Sequence, residues 1–311
     1  MKTIFIFLLS FLPALIKNPI FKAFGLTIEK GATIGFGSVL IVENLSMQKN
    51  TKIGPLSFVK AKSLEMKSEA KISSLVFIKC RKVFLDEYSK MSPLSIVLSG
   101  MEKSSNLYLG KHSQIFPFCW IEPGEGVIIG SDTGIGGHTL IFTHGVWSDY
   151  LKDGPIKHAP VKIGDHVWLP WRVFVMPGTK IADNSVIAAG SVVSSETEIG
   201  SLYGGMPAKL IKRKVIKELS HEEKEKRAMK IITEFNSKFP TKLISINEFN
   251  KDTEIVFSTD KVDKNLFNVC KKNKIDLIDY EIKTYFFSKN PNEEFLFFLR
   301  RYGIRLGMKK Y

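Results

Sequence analysis

From Ile28 onward an aliphatic residue returns at every sixth position, a period that no ordinary helix or flat strand can carry. The run opens with "IEKGAT", "IGFGSV" and "LIVENL". One residue is skipped, and the phase resumes at Met47, Ile53 and Val59, then at Met66, Ile72 and Ile78, and then at Leu85, Met91 and Val97. Leu109, Ile115 and Ile121 follow, then Ile129, Ile135 and Ile141. Beyond an interruption come Ile163, Leu169, Val175, Ile181, Ile187, Val193 and Ile199. The fourth residue after each aliphatic is usually small: Ala32, Ser38, Thr51, Ser57, Ser63, Ala70, Ser89, Ser95, Ser113, Cys119, Thr133, Thr139, Ser185 and Ser191. An amphipathic helix needs a spacing of about 3.6, so a six-residue stripe would wander around it. One aliphatic and one small inward residue per hexad suit a short strand turning a tight corner. Three hexads close a triangle, so each coil takes about eighteen residues, and coils stack by parallel pairing at roughly 4.8 Å each. Coil starts at residues 28, 47, 66, 85, 109, 129, 163, 181 and 199 predict a mainly β chain whose core is a parallel β-helix of about eight to nine coils.

The chain has 311 residues and a formal net charge of +14. That excess is scattered lysine, which attracts anionic groups without specifying one. No zinc-finger spacing, RNP-like strand or basic zipper is present, which argues against nucleic acid as the partner. Cys80, Cys119 and Cys270 lie far apart without paired spacing, as reduced thiols in a cytoplasmic chain would. The amino terminus, residues 1–25, carries thirteen mostly apolar residues from Ile4 to Ile16, interrupted by Pro13. That is short for a membrane span. It is expected to cap a neighbouring core or to touch a membrane face peripherally, with a cleaved signal as the lesser alternative.

The segment "VKIGDHVWLPWRVFVMPGTKIADNSVIAAGSVVSSETEIGSLYGGMPAKLIK" resembles the carboxy-terminal coils of the hexapeptide-repeat acyltransferases. In that family "VWIG", "PG" and "GAGSVV" are followed by "GNPAK". The resemblance covers residues 26–213 and is closest from 129 to 213, on the side of the sugar and xenobiotic acetyltransferases. It implies a left-handed β-helix, acetyl-CoA as donor substrate with no metal, and a homotrimer with active sites between subunits. Residues 214–239 read as a helix, with a capping box at Ser220 and Glu223 and with Ile231, Ile232 and Phe235 on one face. Residues 240–311 read as a small α+β accessory domain.

Residues 147–162, "WSDYLKDGPIKHAPVK", abandon the hexad phase and form an inserted loop. His144 stands three residues before it. A loop expelled from a β-helix is the usual carrier of function, and imidazole can both take and return a proton near neutral pH. His112, His138 and His166 occupy the same fourth position of their own hexads, so position alone does not select His144; the loop and the resemblance do. His138 and His158 remain alternatives. The resemblance makes His144 the general base. It places Ala189 and Ser194 along the pantetheine arm of coenzyme A, Trp168 and Trp171 near its cleft, and Lys209 and Lys212 at its phosphates. Trp147, Asp149 and Tyr150, with Lys152, offer aromatic and polar groups suited to a sugar or glycan acceptor. Glu122 and Glu125 are the nearest carboxylates; each is expected to be solvated, with orientation of the imidazole or of a hydroxyl as the alternative.

The sequence departs from the family at several points. Pro170 stands for a glycine, Met206 for an asparagine, and Ser195 for a lysine. Phe118 and Pro123 replace the asparagine and aspartate that hold the sugar in the galactoside and maltose branch. The expected activity is O-acetyl transfer to a hydroxyl of a glycan, polysaccharide or precursor. The alternatives are N-acetylation of a nucleotide-linked amino sugar, a non-catalytic repeat scaffold, and a zinc carbonic anhydrase. The last would need three histidines converging on zinc.

Overall fold

A computed structural model describes residues 9–311 apart from 101–102, 146–148, 218, 240–243, 249–252, 282 and 289–291. The chain divides into two compact units, residues 1–216 and 217–311.

The first unit is the coil, a left-handed β-helix by its class. On one face Met47, Met66, Leu85, Leu109, Ile129, Ile163 and Ile181 pair in register from coil to coil. On the second face Val59, Ile78, Val97, Ile121, Ile141, Val175 and Val193 do the same. The third face is a separate sheet through Ile34, Ile53, Ile72, Met91, Ile115, Ile135 and Leu169. All of these side chains are buried in one continuous core. Every pairing named here is parallel, so one hexad of sequence supplies one short strand and one corner.

The corners explain the fourth position of the hexad. Asn50, Glu69, Tyr88, His112, Asp132, His166 and Asn184 form one column of left-handed residues, and Leu56, Leu75, Leu94, Phe118, His138 and Arg172 form another. Each non-glycine residue held there costs roughly 1–2 kcal/mol, which the packed column beneath must offset. At Gly37, Gly178 and Gly190, all with positive φ, no such cost arises.

Two sequence expectations shift. Strands Val39–Met47 and Phe58–Met66 run straight through a corner, which joins the first two faces into one sheet. The skipped residue is a bulge, in which Lys62 N and Ser63 N both donate to Arg81 O at 2.8 and 3.1 Å. The bulge turns Ala61 and Leu64 inward, so Ser63 is half-buried rather than an inward small residue. Ile199 is 71 % exposed. The last strand of the third face, Leu202–Gly205, pairs antiparallel with Ala208–Lys212, and Tyr203 closes the core in its place.

At the other end helix α1, Ala14–Ala23, lies over the first coil. Its Lys17 is fully buried and donates to Gly35 O at 2.6 Å and Ser10 O at 3.2 Å, while Asn18 donates to Ala32 O at 2.9 Å. Burial pulls the Lys17 ammonium below its ordinary pKa. These bonds and buried Phe21 make the segment a cap. Among the described residues no helix is long and apolar enough to cross a membrane. Residues 1–8 lie outside the described part.

The second unit begins with α2, His221–Lys238, whose capping box at Ser220 and Glu223 and buried Ile231, Ile232 and Phe235 follow the sequence pattern. Its five-stranded sheet runs Ile244–Ile246, Ile255–Ser258, Asp276–Asp279, Thr284–Phe287 and Gly307–Lys310. Helices α3, Lys264–Asn273, and α4, Glu293–Arg300, are its crossovers. Only the pair Asp276–Asp279 and Thr284–Phe287 is antiparallel.

Candidate active site

At the third corner of the triangle, between the second and first faces, the coil opens. Strand Leu140–Phe142 ends there, and the chain leaves the coil at Thr143. Unlike His112, His138 and His166, whose φ values are 57°, 57° and 55°, His144 is not a left-handed corner residue. It begins a two-residue strand, His144–Gly145, paired antiparallel with Lys157–His158. This ladder ties off the insertion, and Ala159 N donates to Thr143 O at 2.9 Å as the chain re-enters the coil.

Glu122 ends the second-face strand one coil below, and it is not solvated: it is only 7 % exposed. Its Oε2 is 2.7 Å from His144 Nδ1 and accepts from Thr143 Oγ1 at 2.8 Å, while Oε1 accepts from Gly124 N at 2.9 Å. Burial alone would raise this carboxyl's pKa. Hydrogen bonds from Thr143, Ser99 and His144 outweigh that and hold it below the ordinary carboxylate range. An ionised Glu122 accepts, so the imidazole donates from Nδ1 and leaves Nε2 free with its lone pair. The His144 side chain is 44 % exposed, open to an incoming group.

A second couple lies alongside. His158 Nδ1 is 3.4 Å from Glu125 Oε1, and the His158 and His144 rings stack at 5.7 Å and 15°. Glu125 is anchored through its backbone, with its N–H donating to Thr143 Oγ1 at 3.0 Å.

The lowered Glu122 pKa has a consequence for stability. Ionisation is easier in the folded chain than in the unfolded one, so the contribution is present above the ordinary glutamate range and lost as pH falls through the lowered value. Thermal melts should show Glu122→Gln well below the wild type at neutral pH, with the gap closing in acid. A gap that persists or widens in acid would show that the carboxylate is not the stabilising form.

The remaining sequence candidates lie elsewhere on the coil. Trp168 sits on the third face, edge-on to Phe116 at 5.8 Å, and Trp171 lies at the corner beyond it against His138 at 5.5 Å. Ala189 is exposed beside left-handed Gly190 at that same corner, and a Cβ built on Gly190 meets nothing within 4 Å. Ser194 follows Val193 on the second face and is exposed, as are Lys209 and Lys212 on the final hairpin. Within one chain, then, His144 and Glu122 share a corner, whereas Trp168, Trp171 and Ala189 occupy a different edge. His112 and His166 flank Asp132 at 3.6 and 3.9 Å on the remaining corner. Asp149 accepts from Leu151 N at 3.0 Å and is exposed, 3.9 Å from Lys152. Trp147 lies outside the described residues, as does the side chain of Tyr150. Among the described residues no group of three or more His, Cys, Asp or Glu side chains is arranged to hold a metal ion.

Thr143, Ser99 and Gly124, which hold Glu122, have no motif of their own. The repeat did carry a signal for them: the pairing of Ile121 with Ile141 sets the residues after each side by side, Glu122 against Phe142 and, one further on, Thr143.

No family model matches the chain. Among solved structures, the hexapeptide-repeat-containing acetyltransferase VCA0836 from Vibrio cholerae aligns at 27 % identity over 40 % of this chain and 72 % of its own, with a TM-score of 0.34. The polysialic acid O-acetyltransferase OatWY aligns at 19 % identity over 63 % of this chain and 89 % of its own, with a TM-score of 0.45. By sequence, galactoside O-acetyltransferase of Escherichia coli (strain K12) is 32 % identical over 115 residues, 37 % of this chain and 54 % of that protein. The chain spans about half the length of the curated relatives it matches. The class the fold and site define is a left-handed β-helix with a histidine at a corner insertion. In its repeat and in these alignments the coiled unit is similar to the hexapeptide-repeat acetyltransferases and to sugar O-acetyltransferases among them.

Proposed function

We propose that this protein is an acetyl-CoA-dependent O-acetyltransferase acting on a hydroxyl of a glycan, polysaccharide or precursor, with His144 as general base. The observation that carries the reading is the 2.7 Å contact between His144 Nδ1 and Glu122, which leaves Nε2 free at the corner where the coil opens. His144 Nε2 takes the acceptor's hydroxyl proton as its oxygen attacks the thioester carbonyl. Glu122 stabilises the imidazolium so formed and fixes its orientation. When the tetrahedral intermediate collapses, the C–S bond breaks and Nε2 returns the proton to the departing thiolate.

Acetyl-CoA supplies the acyl group. Ala189 and Gly190 leave a bare edge along which an extended pantetheine arm fits, Ser194 offers a hydroxyl to it, and Trp168 and Trp171 border it. Lys209 and Lys212 are free to meet phosphates through charge-assisted hydrogen bonds. His144 lies at another corner, which supports a homotrimer in which one subunit's edge faces the next subunit's His144 and Asp149. The exposed corner column of Leu56, Leu75, Leu94 and Phe118 supports the same arrangement. Light scattering should therefore give a mass about three times the 35.1 kDa of the chain, and a monomer would leave the donor edge without a base.

The direct test is acceptor-dependent thiol release from acetyl-CoA across hydroxyl and amino sugars. Turnover with hydroxyl acceptors is the expected result. Turnover confined to amino sugars would replace the reading by N-acetyl transfer, and failure to bind acetyl-CoA would remove it.

A further inference from the structure

On the first face, beside the His144 corner, a groove of about 530 Å³ runs across several coils. Phe84, Tyr108 and Ile128 pair in register and point outward along its floor. The Phe84 and Tyr108 rings are parallel, 5.0 Å apart at 5°, and Tyr108 and Ile128 are 36 % and 46 % exposed. Asn106 lines the groove as well, with its Oδ1 turned inward and buried. At the other side the wall is Glu125. Glu125 Oε1 is 3.4 Å from His158, whose ring stacks on His144. The groove thus ends one imidazole away from the base.

We propose that this groove is an acceptor subsite that binds an extended oligosaccharide, several sugar units long, and delivers one of its hydroxyls to His144. The inference rests on the reading of His144 as base. The chemistry of the groove selects the occupant. The exposed apolar surfaces of Tyr108 and Ile128 meet the apolar C–H faces of pyranose rings, while the Glu125 carboxylate accepts sugar hydroxyls. A peptide strand would need free backbone donors, but these strands already pair on both sides. A lipid chain would gain nothing from Glu125 or Asn106.

Two measurements test this, with short glucan, chitin and galacturonan oligomers and their monosaccharides as probes. Saturation-transfer NMR on the intact protein reports binding without turnover. At least one oligomer should bind more tightly than its monosaccharide. Tyr108→Ala, at an exposed site, should weaken that binding by about tenfold, whereas His144→Ala should leave it unchanged. In turnover, Tyr108→Ala should raise the oligomer's KM and leave the KM for acetyl-CoA as it was. Oligomer binding that ignores Tyr108→Ala, or no oligomer binding at all, overturns the subsite even if small hydroxyl acceptors are acetylated. Oligomer binding through Tyr108 without acetyl transfer would uphold the groove and instead bring down the role of His144.

Discussion

His144→Ala should lower acceptor-dependent acetyl transfer by about two to four orders of magnitude, the usual contribution of a positioned general base. Steady-state thiol release, with acetyl-CoA and acceptor saturating in turn, is the measurement. The loss should fall on kcat, because nothing places His144 on the donor edge formed by Ala189 and Gly190. The variant should fold. The side chain is 44 % exposed, and Glu122 keeps its bonds from Thr143, Ser99 and Gly124 when the imidazole is removed. A shift in melting of a few degrees at most is therefore expected. His158→Ala is the informative companion. Its ring stacks on His144, but its carboxylate contact is longer, at 3.4 Å against 2.7 Å. It should retain most of the turnover. If the two variants exchanged phenotypes, the base would be His158, and the short Glu122 bond would have to be read as structural.

The six-residue period made the coil legible because each inward aliphatic is also a pairing position. The columns through Met66, Ile121 and Ile135 are those the spacing predicts. What the period could not show is where it is broken from within. Ser63 and Leu64 exchange roles because a strand that continues through a corner keeps alternating every second residue, and one bulged residue absorbs the mismatch. Ile199 keeps the phase in sequence but has no coil above it to pack against, so the hairpin at Leu202–Gly205 takes over.

The insertion beside it is what singles out His144 in the sequence as a candidate. Its partner was harder to find. Glu122 is one residue past inward Ile121, in a position that is outward on a regular face. Only the departure of the chain at Thr143 closes a pocket over it and provides Thr143 Oγ1 and Gly124 N as donors. Burial of a carboxylate is stable where such donors converge, and that convergence comes from irregular backbone, on which a repeat is silent. The last strand, Gly307–Lys310, was likewise unmarked. It is short, and its alternation is masked by lysine.

Truncating the core beneath the site should give the largest effect on stability. Ile141 is fully buried and sits in register between Ile121 and Val175 on the second face. Ile141→Ala removes three carbons from a column that cannot close the gap, since the backbone on both sides is pinned by parallel ladder bonds at fixed spacing. The cost is about 2–5 kcal/mol, a large share of the stability of a typical domain. Denaturant unfolding should show that loss, and hydrogen exchange should show where it falls. In a stacked repeat each coil is held by its neighbours, so amides of strands Trp120–Glu122, Leu140–Phe142 and Phe174–Val175 should lose protection first. Those around Met47 and Met66, several coils away, should lose least. Turnover should decline in parallel, because Glu122 and His144 hang from the two strands that slip. If protection were lost evenly over the whole coil, the unit would be one cooperative block rather than a stack, and the site could not loosen on its own.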